Sequence, residues 1–161
     1  MKLFKKYLVY SVSLSTMFIV NGAFASAYYE VGFGNKSNDA IVTFQNVGTF
    51  CMYDGGSSDP IILSPHKSTI FKIEDDDNVF DGCLNRDKVE TWNVQYTKPN
   101  AATEFCQIKF THDRPDFTGP WVTYFATVGN CSIPLTLACN GYESACNGEE
   151  DIISVVAYTN K

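Results

Sequence analysis

Residues 92–97, Trp-Asn-Val-Gln-Tyr-Thr, alternate strictly between apolar and polar side chains. The same alternation occurs in residues 106–111, Cys-Gln-Ile-Lys-Phe-Thr, and more briefly in residues 42–45 and 69–73. A period of two is typical of β-strands that bury one face and expose the other. These segments therefore predict half-buried antiparallel strands, and the pattern places Cys106 on a buried face.

Turn-forming residues separate the predicted strands at nearly regular intervals. Clusters of Gly, Pro, Asn, Asp, Ser and other polar residues occur at 34–39, 55–60, 64–67, 75–81, 99–103 and 114–120. Short strands at such spacing are typical of two antiparallel sheets packed face to face. We therefore predict an all-β protein, a single antiparallel β-sandwich of about eight or nine strands over residues 28–161, with a small closed β-barrel as the alternative.

The first 27 residues differ from the rest of the chain. Three lysines within the first six residues precede an apolar stretch over residues 7–20, which is followed at residues 23–27 by Ala-Phe-Ala-Ser-Ala. This order is typical of a secretory signal peptide, and the apolar stretch is shorter than the ~20 residues that span a bilayer. We expect cleavage after Ala25 or Ala27 and export to the periplasm or the cell exterior. The compact lysine-led form is typical of bacteria.

The charge of the exported part excludes some classes of partner. The whole chain of 161 residues has a formal net charge of −6, and removal of residues 1–27 takes away three lysines and no acid, which leaves −9. Nucleic-acid binding requires a basic surface that displaces counterions. We therefore expect no nucleic-acid partner and little attraction to anionic lipid. With 45% hydrophobic residues, the chain has enough apolar surface for one core, so a disordered polymer is also excluded.

Six cysteines lie in the predicted mature part, and an even number in an exported chain predicts disulfides. No C-x-x-C pair is present, which disfavours a zinc site. If residues 131–139 form one strand, its end residues lie ~26 Å apart, too far for a bridge. A turn at Asn140-Gly141 favours a local bridge across it. The preferred pairing is Cys51–Cys83, Cys106–Cys131 and Cys139–Cys146.

His112 is the candidate for catalysis because it follows a predicted strand and precedes an acid. A small secreted hydrolase could use His112 with Asp113 or Asp116, since histidine transfers protons near neutral pH. No G-x-S-x-G nucleophile motif accompanies it. We favour the alternative in which His112 is a solvated side chain beside a turn, so the protein is not expected to be an enzyme.

The densest acidic segment lies at residues 74–78. Its carboxylates suggest a calcium site formed by Asp75, Asp77 and Asp81, because calcium binds six to eight oxygen ligands. The spacing does not match an EF-hand, and a solvated acidic loop explains the same residues. We therefore expect no cofactor, with calcium as the alternative.

Aromatic residues near predicted loops suggest a binding surface. Trp121, Phe117 and Tyr142 lie outside the alternating inward positions, and such side chains stack on sugars or anchor protein partners. We therefore predict a monomeric, secreted binding module for a carbohydrate or protein partner. The alternatives are the hydrolase above and a membrane-active β-sandwich that uses exposed aromatic residues on neutral lipid.

Overall fold

The protein folds as two packed β-sheets. The computed structural model describes residues 27–78, 80–114, 119–139, 146–147 and 152–159. Within these ranges the strands are β1 (Tyr28–Asn35), β2 (Ile41–Phe50), β3 (Met52–Asp54), β4 (Ile61–Leu63), β5 (Ser68–Asp75), β6 (Lys88–Thr97), β7 (Glu104–Asp113), β8 (Val122–Thr127), β9 (Leu135–Cys139), β10 (Cys146–Asn147) and β11 (Ile152–Thr159). Eight of them have five or more residues, which agrees with the predicted number.

The strands form an open sandwich and not a closed barrel. The first sheet has the order β3-β5-β1-β11-β9, and the second has the order β10-β8-β7-β6-β2-β4. The pairs are antiparallel except for β1 and β11, which run parallel and bring the first and last strands side by side. The predicted all-β sandwich is confirmed. In the part of the chain described above, no helix is long and apolar enough to cross a membrane.

The core fills the space between the sheets with the inward side chains of the alternating strands. Trp92, Val94 and Tyr96 of β6 are all buried, as the period of two requires. Phe33 of β1 stacks on Phe44 of β2, with ring centroids 4.0 Å apart. Aromatic pairs of this kind stabilise a core beyond the area that they bury. The two sheets are thus joined by the residues that the sequence pattern placed inside.

Two disulfides are present among the described residues, and they are two of the pairs preferred from the sequence. Cys51–Cys83 joins the β2–β3 connection to the β5–β6 loop, and Cys106–Cys131 joins β7 to the segment before β9. The loops span 32 and 25 residues, so each bridge stabilises the fold by about 3 to 4 kcal/mol in the chain-entropy model. The proposed Cys139–Cys146 bridge involves side chains outside the described part.

The strand supposed over residues 131–139 is shorter than expected. Residues 131–139 do not form one strand, because β9 begins only at Leu135. Cys131 lies in the preceding loop, where its sulfur reaches Cys106 with a Cα–Cα distance of 4.8 Å. The assumed ~26 Å separation of Cys131 from Cys139 therefore does not apply.

Candidate functional site

A groove lies on the outer face of the first sheet, above β1 and β5. Its floor includes Gly32 and Gly34, and Ser68 and Ile70 form a wall, around a volume of about 420 Å³. Tyr29, Val31 and Phe33 of β1 point into the core, so the intervening glycines are on the outer face. Gly32 and Gly34 add no side chain to the groove floor, and both residues are themselves buried.

The groove has a basic rim in an acidic protein. Lys36, Lys67 and His66 border it, and all three are exposed. The strand ladder holds the two lysines near each other, since the N–H of Asn35 donates to the carbonyl oxygen of Lys67 at 2.8 Å. An anionic group would be attracted here, whereas the net charge of the predicted mature chain repels anions elsewhere.

His66 has a backbone conformation that non-glycine residues rarely adopt. Its φ is 58°, in the left-handed region, within the tight turn that Lys67 N–H closes on Ser64 O at 3.2 Å. Such a conformation costs free energy for a residue with a Cβ, and it is concentrated at functional sites. The turn thus sets a histidine on the rim of the groove.

His112 does not lie in an open catalytic crevice. Its side chain is 6% exposed, and its Nδ1 is 2.7 Å from the Oγ1 of the buried Thr123. Its ring stacks on Trp121, with centroids 4.7 Å apart. Burial lowers the pKa of His112 to about 4, with the charge of Lys88 acting in the same direction. The interpretation of His112 as a solvated side chain was wrong, because strand β7 turns it inward.

The acids proposed as partners of His112 are not seen beside it. Asp113 follows on β7 and faces the other way, where its Oδ2 accepts a hydrogen bond from the hydroxyl of Tyr124 at 3.2 Å. Asp116 lies outside the described residues. The described contacts of His112 are thus with Thr123 and two aromatic rings, Trp121 and Tyr29.

Of the three ligand-binding aromatics predicted from the sequence, the structure describes only Trp121. Trp121 is half-buried, and one face of its indole is occupied by the His112 ring. The guanidinium of Arg114 lies 6.0 Å from the Trp121 ring centroid. Phe117 and Tyr142 lie outside the described residues, so their part of that prediction stays a prediction.

The three acids proposed for calcium have separate hydrogen-bond partners. Asp75 is buried, and its two carboxylate oxygens accept from the N–H of Ala27 and the hydroxyl of Tyr29 at 2.7 and 2.8 Å. Asp77 forms a 2.7 Å ion pair with Lys88, and Asp81 accepts from the side chain of Asn78 at 2.8 Å. No three His, Cys, Asp or Glu side chains converge on a metal position anywhere in the described ranges.

The buried side chain of Lys88 holds the acidic segment at residues 74–78 in place. The Lys88 side chain is only 1% exposed, and its Nζ donates to Asp77 and to the carbonyl oxygens of Asp76 and Cys83. A buried ammonium requires such partners because its loss of hydration is costly. The lysine thereby anchors the loop that contains one half of the Cys51–Cys83 bridge.

Glu90 lies on β6, two residues after Lys88. It is a buried acid without a cationic partner among the described residues. It is fully buried, and its Oε1 accepts a hydrogen bond from the Nδ2 of Asn46, while its Oε2 has no hydrogen-bond partner. Burial raises the pKa of Glu90 to about 8, which the Asn46 contact opposes and the charge of Asp54 reinforces. Gly55 covers the carboxyl so closely that a Cβ on it would lie 2.7 Å from Oε1.

Sequence reasoning missed these residues although the signals were present. Extending the alternation of residues 92–97 backwards puts Lys88 and Glu90 on the same inward face as Trp92. The alternating glycines at residues 32 and 34 mark a strand position where another group approaches the backbone.

No family model matches the chain, and no curated protein matches it.

Proposed function

We propose that this protein is an exported binding module that holds a protein partner through the groove above Gly32 and Gly34. The observation that supports this function most is the combination of a side-chain-free floor, an apolar wall at Ile70 and the lysine rim. A pocket with apolar walls and a few polar groups at its edge is the usual form of a binding site. The ligand group that fits it has an apolar part and a carboxylate.

A protein partner fits this groove better than a neutral sugar does. Recognition of a sugar requires many hydrogen-bond groups and an aromatic face, whereas the groove combines an apolar wall with positive charge. Peptides that combine apolar and acidic side chains match both features. The two disulfides suit an oxidising compartment outside the cytosol, in agreement with the expected export. We propose that the protein acts there as a monomer and does not bind nucleic acid.

The hydrolase alternative has less support. A nucleophile must be reachable by its substrate, yet Thr123, the hydroxyl beside His112, is fully buried. A base that is neutral down to about pH 4 is also a weak proton acceptor near neutral pH.

The membrane-active alternative is favoured by one feature of the surface. The Cys51–Cys83 bridge brings together three exposed apolar residues, Phe50, Phe80 and Leu84, and Phe80 is 92% exposed. Asp76, Asp77 and Asp81 lie near Phe80 in the sequence, and their charge favours contact with neutral lipid over anionic lipid. Flotation with phosphatidylcholine vesicles tests this second candidate, and recovery of the protein only in the bottom fraction would contradict it.

The groove can be tested with a small defined probe. In amide NMR spectra, N-acetyl-Leu-Glu should shift the signals of Gly32, Gly34 and Ile70, and maltose should leave them unchanged. The variant Lys67→Gln should weaken this binding severalfold because it removes one charge from the rim. Shifts spread over the whole surface, or equal shifts with maltose, would contradict the proposed site.

A second variant separates binding from folding. Gly34→Val places a side chain in the floor and should abolish the shifts at Gly32. Valine favours a strand conformation, but Gly34 is buried, so the fold of the variant is verified first from its amide NMR spectrum. Full binding by this variant would refute the role of the groove.

A further inference from the structure

One edge of the first sheet is unpaired next to the groove. Strand β3 covers β5 only at Glu74 and Asp75, where Asp54 and Met52 are the partners. In the described part of the chain, no strand pairs with residues 68–72 on that side. This stretch of β5 is therefore an edge with β1 on its other side only.

The hydrogen bonds between β1 and β5 show which main-chain groups of β5 point toward its open edge. Lys67 O accepts from β1, and Asp75 N donates to Ala27 O, so odd-numbered residues of β5 bond to β1. In an antiparallel ladder the residues between them direct both N–H and C=O to the opposite side. Ser68, Ile70 and Lys72 therefore present three donors and three acceptors along the open edge.

This edge differs from the edges of the second sheet. Strand β4 has three residues and β10 has two, so neither offers a long template. On β5 the charge of Lys72 is one feature that protects the edge against unspecific strand pairing. Next to it on the same face, the side chain of Ile70 is 70% exposed and forms the wall of the groove. An apolar contact and a row of unsatisfied main-chain groups thus lie side by side.

We propose that the partner binds as an added β-strand on residues 68–72 of β5, an inference that rests on the proposed binding function. Donors and acceptors repeated every second residue are complementary to an extended main chain. On the outer face, an apolar side chain of the added strand lies beside Ile70, and an acidic side chain lies opposite Lys72. The partner is therefore an extended polypeptide segment in which apolar and acidic residues alternate with neutral ones.

A second copy of this chain fits the edge less well. Antiparallel pairing of two β5 edges around Ile70 would place each Lys72 opposite Ser68 of the other copy, and its acidic neighbour would remain Glu30 on β1. In addition, two mature chains with a net charge of −9 each repel one another. Pairing of two copies would appear as a dimer in light scattering, and that outcome would overturn the inference of a different partner.

The probe is acetyl-Thr-Glu-Thr-Val-Thr-Asp-Thr-amide, which places valine opposite Ile70 and glutamate opposite Lys72 in the antiparallel register. Its binding should slow hydrogen exchange at the amides of Ile70 and Lys72, which are otherwise open to water. N-methylation of the valine amide, which faces β5, should weaken binding at least about tenfold. The matched control is N-methylation of the following threonine, whose N–H points away and whose change should have little effect.

A variant of the protein tests the same contact from the other side. Ile70→Pro removes an outward N–H and no bond to β1, and proline is tolerated on edge strands. It should lose binding of the heptapeptide. Since the N-methylated probes leave the protein unchanged, the inference can be refuted even if this variant does not fold.

The outcomes separate the two proposals. If both N-methylated peptides bind as well as the parent peptide while Lys67→Gln weakens all of them, the groove binds but no strand is added. If neither the dipeptide nor the heptapeptide binds the unmodified protein, the proposed function fails together with the inference.

Discussion

Replacing Glu90 with glutamine should remove a large part of the pH dependence of folding. The Glu90 carboxyl is buried, with one hydrogen bond from Asn46 and no cation beside it among the described residues. Its pKa is about 8 in the folded protein and 4.5 in an exposed chain. Between these two values the folded state binds one more proton than the unfolded state does. The free energy of unfolding therefore falls as pH rises through this range.

The size of the effect follows from the two pKa values. At about 1.4 kcal/mol for each pKa unit, the difference between 4.5 and about 8 sets a ceiling of about 5 kcal/mol. Adjustment of the Gly55 loop and entry of water would reduce it, so we expect about 2 to 4 kcal/mol. At low pH, Glu90→Gln should be within about 1 kcal/mol of the parent protein, because glutamine retains the acceptor for Asn46.

Urea unfolding followed by the fluorescence of the buried Trp92 measures this dependence, without reductant so that the disulfides stay closed. From about pH 5 to about pH 9 the variant should become progressively more stable than the parent. Glu104→Gln, at a partly exposed position at the start of β7, is the matched control and should follow the parent curve. A constant difference between Glu90→Gln and the parent at every pH would refute the reasoning.

Two further predictions concern buried contacts of His112 and of Asp75. Since the pKa of His112 is lowered to about 4, the neutral ring stabilises the fold above pH 6.5, and this contribution is lost as pH falls toward 4. An NMR titration should show His112 neutral at about pH 5, and a midpoint near 6.5 would contradict its burial. Signal-peptide cleavage should occur after Ala25 and not after Ala27, because the second cut removes Ala27, whose N–H and C=O both bond to Asp75. Mass spectrometry of the exported protein should find an N-terminal serine, and an N-terminal Tyr28 would contradict this expectation.

Much of the fold could be predicted because side-chain direction in a strand is a local property. Alternation in residues 92–97 determined which side chains of β6 face the core, and the structure buries Trp92, Val94 and Tyr96 accordingly. The same period, applied to residues 88–90, would have predicted the buried Lys88 and Glu90. Such a prediction runs against the rule that charged side chains rarely lie inside without a partner, and the sequence does not show which residues are their partners.

The candidate site could not be predicted in this way because it depends on neighbours that are distant in the chain. The all-β class, the inward faces of the strands and the cysteines available for bridges follow from local patterns in the chain. The folded arrangement is needed to show that β5 lies beside β1, that Lys67 meets the end of that strand, and that β3 leaves residues 68–72 uncovered. Strand order and register arise from the packing of the whole core, and a short segment does not contain that information.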